Sequence, residues 1–198
     1  MIDLKLGPDV IEKLLPHRRP FLMVDGVVAY DRGPSPRIRA CRHVSANEPV
    51  FDGHFPGLHL WPGVYTIEGM GQAGNLLAVL DGLVDVYEAR GSTMDAALEG
   101  LRNLERGCKL LPGFDRTSAA TLLEGLGTDP LRRGGMSAAV DVKLTQPAFA
   151  GQRIDFDVTW THRIDTLLRF EVRAEVDGRT IAHGVMSGTI DHPVPPRS

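Results

Sequence analysis

Two cysteines in 198 residues are too few for a disulfide framework, and Cys41 and Cys108 fit no metal-ligand spacing. A reducing cytoplasm is the expected compartment. Positive charge is not in excess either: 22 Lys and Arg face 25 Asp and Glu, a net charge of −3. That argues against a broad nucleic-acid-binding face, which needs basic residues. No apolar run reaches the roughly 18 residues of a membrane span. The opening MIDLKLGPDVIEKLLPHRRP lacks the charged, apolar and cleavage regions of a signal peptide, so export is not expected. What remains is an ordinary soluble composition, 42% apolar and 24% charged, at about the length of one domain. Glycine (22) and proline (14) run above usual levels, which predicts tight turns and close backbone approaches.

Helical spacing appears first at 8–15, where Val10, Ile11, Leu14 and Leu15 share a face between Pro8 and Pro16. Residues 21–30 predict a strand with a bulge at Gly26, and 37–44 a second strand; the DRGPSP turn makes them a hairpin. Residues 45–62 are irregular, the kind of backbone on which sites tend to sit. From Val64 to about Leu80 the chain is apolar nearly all round, the mark of a buried helix wrapped by a sheet. Met94, Leu98, Leu101, Leu104, Cys108 and Leu111 predict a helix over 94–111, capped by Ser92 or Thr93. A shorter helix is expected at 117–126. The last sixty residues turn to strands at 136–145, 152–162, 166–177 and 179–190, the last two joined by Asp177-Gly178, a strong hairpin signal. Helix and strand are segregated, so the fold class is α+β rather than doubly wound.

The chemistry concentrates in NEPVFDGHFPGLHLWPGVYTIEGMGQAG, residues 47–74. Pro62 suits the first helical position, which leaves the amides of Gly63 and Val64 among the unpaired donors of the first turn. Such donors can hold a carbonyl oxygen that becomes negative. Glu68 and Gln72 lie four apart on one helix face. A carboxyl turned into an apolar helix needs a partner or a task, and burial favours the protonated form, which can then donate its proton. His54 is the natural base near neutral pH. Base, acid and helix-start donors are what proton removal beside a carbonyl, with loss of a hydroxyl, requires. Asp52, His54 and His59 are metal-ligand types without a further partner at clear spacing, so no metal is expected. GMGQAG at 69–74 matches G-x-G-x-x-G, but Pro62 cramps the strand a dinucleotide site needs before it. The competing reading keeps Gly69, Gly71 and Gly74 in the helix, each at about 1 kcal/mol against alanine, offset by close packing on bare backbone. GVMSG at 184–188 is not a nucleophile elbow.

LLPHRRPFLMVDGVV followed by the 47–74 stretch resembles the FabZ-type 3-hydroxyacyl-acyl carrier protein dehydratases, whose pattern runs LLPHRxPFLxVD, then NEPxFxGHFPGxPxMPGVxxxEAxAQ. SAAVDVKLTQPAFAGQRIDFDV resembles the later strand pair of that family. The resemblance implies a hotdog fold, a curved antiparallel sheet around one long helix, in a homodimer or trimer of dimers, or a heteromer with another hotdog subunit. It implies an active site at the dimer interface, His54 of one subunit opposite Glu68 of the other. His54 would take the C2 proton, Glu68 would protonate the leaving hydroxyl, and Gly63 with Val64 would hold the thioester carbonyl. Gln72 would orient Glu68 or serve as a structural amide; Phe55, Trp61 and Pro62 would shape the pocket. No metal or redox cofactor is implied, since the substrate rides on the phosphopantetheine of acyl carrier protein. Arg18, Arg19, Arg132, Arg133, Lys143 and Arg153 are candidate docking residues for that acidic partner. The chain departs from the pattern at His59, at Trp61 (usually Met), and at Thr145 and Gln146, where basic residues are common. About forty extra residues follow the central helix. The expectation is one domain over 1–193, with a helical insertion at about 84–133 that bounds the acyl tunnel, and a loose tail at 194–198. A thioesterase or a non-catalytic partner subunit are the competing functions.

Overall fold

The computed structural model describes residues 1–127 and 135–189, and its sheet begins earlier than the sequence suggests. Ile2–Leu6 forms strand β1 and pairs antiparallel with β2, Gly26–Asp31. Leu4 and Leu6 are buried while Asp3 and Lys5 face out, so the alternation was present but only five residues long. Helix α1, Pro8–Leu14, follows and buries Val10, Ile11 and Leu14 as expected. β2 begins at Gly26 rather than at residue 21. The backbone before it is engaged elsewhere: Phe21 O and Met23 N are both bonded to the Gln72 side chain. The register shift falls between Val27 and Ala29, not at Gly26. β3, Arg37–His43, completes the expected hairpin.

After a 3-10 turn at Pro49–Asp52 comes α2, Gly63–Ala89, 27 residues long. Pro62 is its cap, extended at ψ 129, rather than its first residue. The helix runs nine residues past the expected end because Asp81-Gly82 does not break it. Arg32, beyond β2, pairs with Asp81, Asp85 and Glu88 along one face, and Leu83 and Val84 are buried on the other.

Four further strands follow: β4 (Met136–Leu144), β5 (Arg153–Ile164), β6 (Leu167–Val176) and β7 (Arg179–Thr189). The seven strands run in the order β1-β2-β3-β5-β6-β7-β4, every pair antiparallel. Asp177 and Gly178 both have positive φ, the tight-hairpin geometry read from the sequence. β4 is an edge strand, and Met136, Val140 and Leu144 on it are about half exposed.

The glycines of GMGQAG lie inside α2 against the sheet, which settles the competing readings of that motif. A Cβ on Gly69 would stand 2.5 Å from the Phe156 ring, whereas one on Gly74 would meet Phe170 at an ordinary 3.5 Å. The two positions therefore respond oppositely to an added side chain. Gly74→Ala should stabilise by up to about 1 kcal/mol through helix propensity. Gly69→Val, with no room for either methyl, should destabilise by about 2–3 kcal/mol through overpacking. Paired thermal melts check both signs.

α3, Met94–Cys108, is capped by Thr93, whose hydroxyl accepts from Ala96 N at 3.2 Å. It ends before the expected residue 111. α4 spans Arg116–Gly127 and is tied to α3 by the Asn103 side chain, bonded both ways to the Asp115 backbone. α3 lies across β1, α1 and α2. Its buried Glu105 accepts from Gly7 N at 2.9 Å, at the start of α1, which has no side-chain cap of its own, and pairs with Lys109. Glu105→Ala should leave that buried amide unpaired and cost about 1–3 kcal/mol, read by chemical denaturation.

Candidate active site

α2 sets Glu68 and Gln72 one turn apart, as their spacing requires. Gln72 is buried and fully used: Oε1 accepts from Met23 N at 2.8 Å, and Nε2 donates to Phe21 O at 2.7 Å and to Glu68 Oε1 at 2.9 Å. The amide thus holds the backbone at Phe21 and Met23 and donates to one carboxyl oxygen of Glu68. Glu68 lines a cavity of about 200 Å³ with His17, Phe21, Asn75, Ser137 and Ser187. The nearest His17 ring nitrogen is 3.7 Å from Glu68 Oε1.

His54 follows the 3-10 turn, its amide bonded to Val50 O at 2.9 Å. Its Nδ1 lies 2.9 Å from Leu60 O. A carbonyl only accepts, so Nδ1 carries the hydrogen and Nε2 of the neutral ring keeps its lone pair. Its surroundings thus assign His54 the tautomer of a base. The ring stacks on Phe55 at 4.2 Å. His54 lines a different cavity, of about 420 Å³, with Trp61, Gly63, Thr66, Leu144 and Ala148.

One chain therefore does not bring His54 and Glu68 together. α2 and β4 each serve both cavities: Gly63, Thr66 and Leu144 line the first, Glu68, Gly71 and Met136 the second. Tyr65 and Thr66 donate to Pro62 O, while among the described residues the amides of Gly63 and Val64 meet no acceptor. A Cβ on Gly63 would run into the tip of the Leu144 side chain, which would have to move. The Val64 side chain is exposed, and so is Phe55. Trp61 is buried, edge-on to Phe51 and Tyr65 and under Arg42. Methionine-sized space is thus filled toward the core as well as toward the cavity. His59 stacks on Phe51.

The candidate docking residues are dispersed in their engagements. Arg18 is partly exposed and bonds the carbonyls of Leu15 and His17, with Glu12 nearby. Arg19 lines a groove with Asp25, Arg42 and Glu48. Lys143 is exposed on β4, and Arg153 pairs with Asp155. Arg132 and Arg133, like the tail at 194–198, lie outside the described residues. Neither cavity takes a lining residue from α3 or α4; those helices cover α1, β1 and the far end of α2, and residues 128–133 of the expected insertion lie outside the described residues. Among the described residues no three His, Cys, Asp or Glu side chains gather to hold a metal, and no helix is long and apolar enough to cross a membrane. Sequence reasoning missed His17, which faces Glu68; its signal was its place inside the LLPHRRPFL stretch.

An antiparallel sheet packed on one long helix, with a carboxyl on that helix and a histidine in the loop before it, defines a hotdog-fold protein with acid–base groups. Solved structures of similar shape agree on the fold. The dehydratase heterocomplex ApeI:P from Xenorhabdus doucetiae superposes with a TM-score of 0.56 at 16% identity over 92% of this chain and 91% of that one. An HP0420 homologue from Helicobacter felis gives 0.52 at 11%, over 93% and 90%. The FabA-like domain model matches residues 15–102. The 3-hydroxyacyl-acyl-carrier-protein dehydratase FabZ of Nitratidesulfovibrio vulgaris is 30% identical over 177 residues, 89% of this chain and 86% of that protein. The namesake from a Nitratiruptor species is 53% identical over 79 residues, 40% of this chain and 52% of that protein. Alignments to that relative and to the one from Campylobacter concisus thus span only about half of their lengths. The chain belongs to the FabZ family of dehydratases.

Proposed function

We propose that this protein dehydrates 3-hydroxyacyl chains carried on acyl carrier protein to the trans-2-enoyl thioester, at sites completed by two copies of the chain. The observation that carries the reading is the division of His54 and Glu68 between two cavities that both adjoin β4, an edge strand with half-exposed apolar residues. A second copy seated on that edge would bring the base of one chain to the acid of the other. His54 Nε2 takes the C2 proton, the C–H electrons form the C2–C3 double bond, and the C3–O bond breaks. The hydroxyl leaves with the Glu68 proton as water. Transfer of one proton from His54 back to Glu68 resets the pair. The free Gly63 and Val64 amides hold the thioester oxygen while charge gathers on it. Gln72 orients Glu68.

In this reading no metal or redox group takes part, and the acyl chain arrives on phosphopantetheine. Arg18, Arg19, Lys143 and Arg153, with Arg132 and Arg133, are the residues offered for docking of the acidic carrier. The chain works in the cytoplasm as a homodimer, a trimer of dimers, or a heteromer with a second hotdog subunit. It forms one domain over 1–193, with its insertion at about 84–133. Fatty acid or polyketide-type synthesis is the setting. The test is mass spectrometry of a 3-hydroxyacyl-carrier panel. Loss of one water is expected in wild type and absent in His54→Ala and Glu68→Gln. Released free acid would instead reveal a thioesterase, and conversion only with an added second subunit an obligate partner.

A further inference from the structure

The FabZ pattern assigns a base and an acid, but the Glu68 cavity contains a second histidine. His17 Nε2 stands 3.7 Å from Glu68 Oε1, the same oxygen that accepts from Gln72 Nε2. The ring is half-buried against Phe21, and its Nδ1 is enclosed without a partner among the described residues. We propose that His17 is a positioning residue for Glu68, a neutral imidazole whose Nε2–H faces Oε1 and so leaves the transferable proton on Oε2. This inference rests on the dehydratase reading and extends it.

The geometry argues in two steps. Gln72 Nε2 can only donate, so Oε1 acts as an acceptor and cannot also present a proton to it. An imidazole with Nε2–H adds a second donor toward that oxygen, and the enclosed Nδ1 is then the bare nitrogen. Gln72 donates to Oε1 and an Nε2–H of His17 would face the same oxygen from 3.7 Å, so the acid proton is carried by the other oxygen. The charge state matters as much as the place. A protonated His17 would put a full cation beside Glu68 and hold it as carboxylate, unable to serve as acid. Burial pushes the His17 imidazole below its ordinary range, more strongly than the Glu68 charge raises it, and Arg18 acts in the same direction as burial. Glu68 and Arg18 are the charged groups that bear on it; Ser137 and Ser187, on the strands that line the same cavity, carry no charge.

Three variants separate the roles. His17→Leu removes the donor, and kcat should fall roughly tenfold to hundredfold while KM moves less than about twofold. His17→Gln returns a neutral donor near the Nε2 position and should recover kcat to within about threefold of wild type. His17→Lys fixes a positive charge there; it should be the slowest, with the basic limb of its kcat profile shifted down by about one pH unit or more. Equal kcat in wild type and His17→Leu, or equal loss in the Leu and Gln variants, would overturn the proposal. An inactive wild type would instead overturn the dehydratase reading. For that case the histidine ring NMR signals provide an independent readout. His17 should show the Nε2–H tautomer and titrate below its ordinary range. An Nδ1–H tautomer, or an imidazole protonated above its ordinary range, would overturn it as well.

Discussion

Combining two inactive variants should restore activity. His54→Ala removes the base and Glu68→Gln the acid, and each alone should lower dehydration by about 10²–10⁴-fold. In one chain these residues line separate cavities, so each working site would draw its base from one copy and its acid from the other. When both variants are made in the same cell and pair at random, about half of the dimers hold one chain of each kind. In such a dimer one site receives both mutations and the other receives neither. About a quarter of wild-type activity should therefore return, far above either parent. Two affinity tags isolate the mixed species, and water loss from a 3-hydroxyacyl carrier is the readout. A mixed dimer as inactive as its parents would mean that His54 and Glu68 of one chain serve the same site, and the two-cavity arrangement would not be the working one.

The parts of this molecule that were legible in its sequence are those whose signal is local. β6 alternates cleanly and β5 does so over its first half, Asp177-Gly178 has the backbone a tight hairpin needs, and α3 carries an apolar stripe with Thr93 at its start. Two of the misses involve a partner distant in sequence. Nothing near Asp81-Gly82 announces that Arg32 will bind three carboxyls of that helix and carry it on to Ala89. Residues 21–25 look like a strand because they are apolar, yet Gln72 takes the backbone groups of Phe21 and Met23 that a neighbouring strand would need. The site divides along the same line. Glu68 stands out as a carboxyl in an apolar helix, and His54 gains meaning beside Pro62-Gly63. His17 has only its place in the LLPHRRPFL stretch to mark it, and the folded chain puts it against Glu68.

Val140→Asp should separate the copies and silence the enzyme without unfolding it. Val140 sits mid-way along β4, opposite Met186 of β7, with its other edge unpaired among the described residues and its side chain about half exposed. In a lone chain an aspartate there stays in water, so the melting temperature should change by no more than a few degrees. Between two copies the same carboxylate would be stripped of solvent without a partner, at about 2–5 kcal/mol, and twice over where the interface is symmetric. Sedimentation should then report the 21.6 kDa chain rather than a dimer. Dehydration should fall about as far as in His54→Ala, because a separated chain holds a base in one cavity and an acid in another. Mass action supplies the deciding control. Activity per chain should rise with protein concentration as dimers re-form, whereas damage confined to a single chain would leave it constant. A dimeric, fully active Val140→Asp would remove β4 from the interface and, with it, the argument that this edge completes the site.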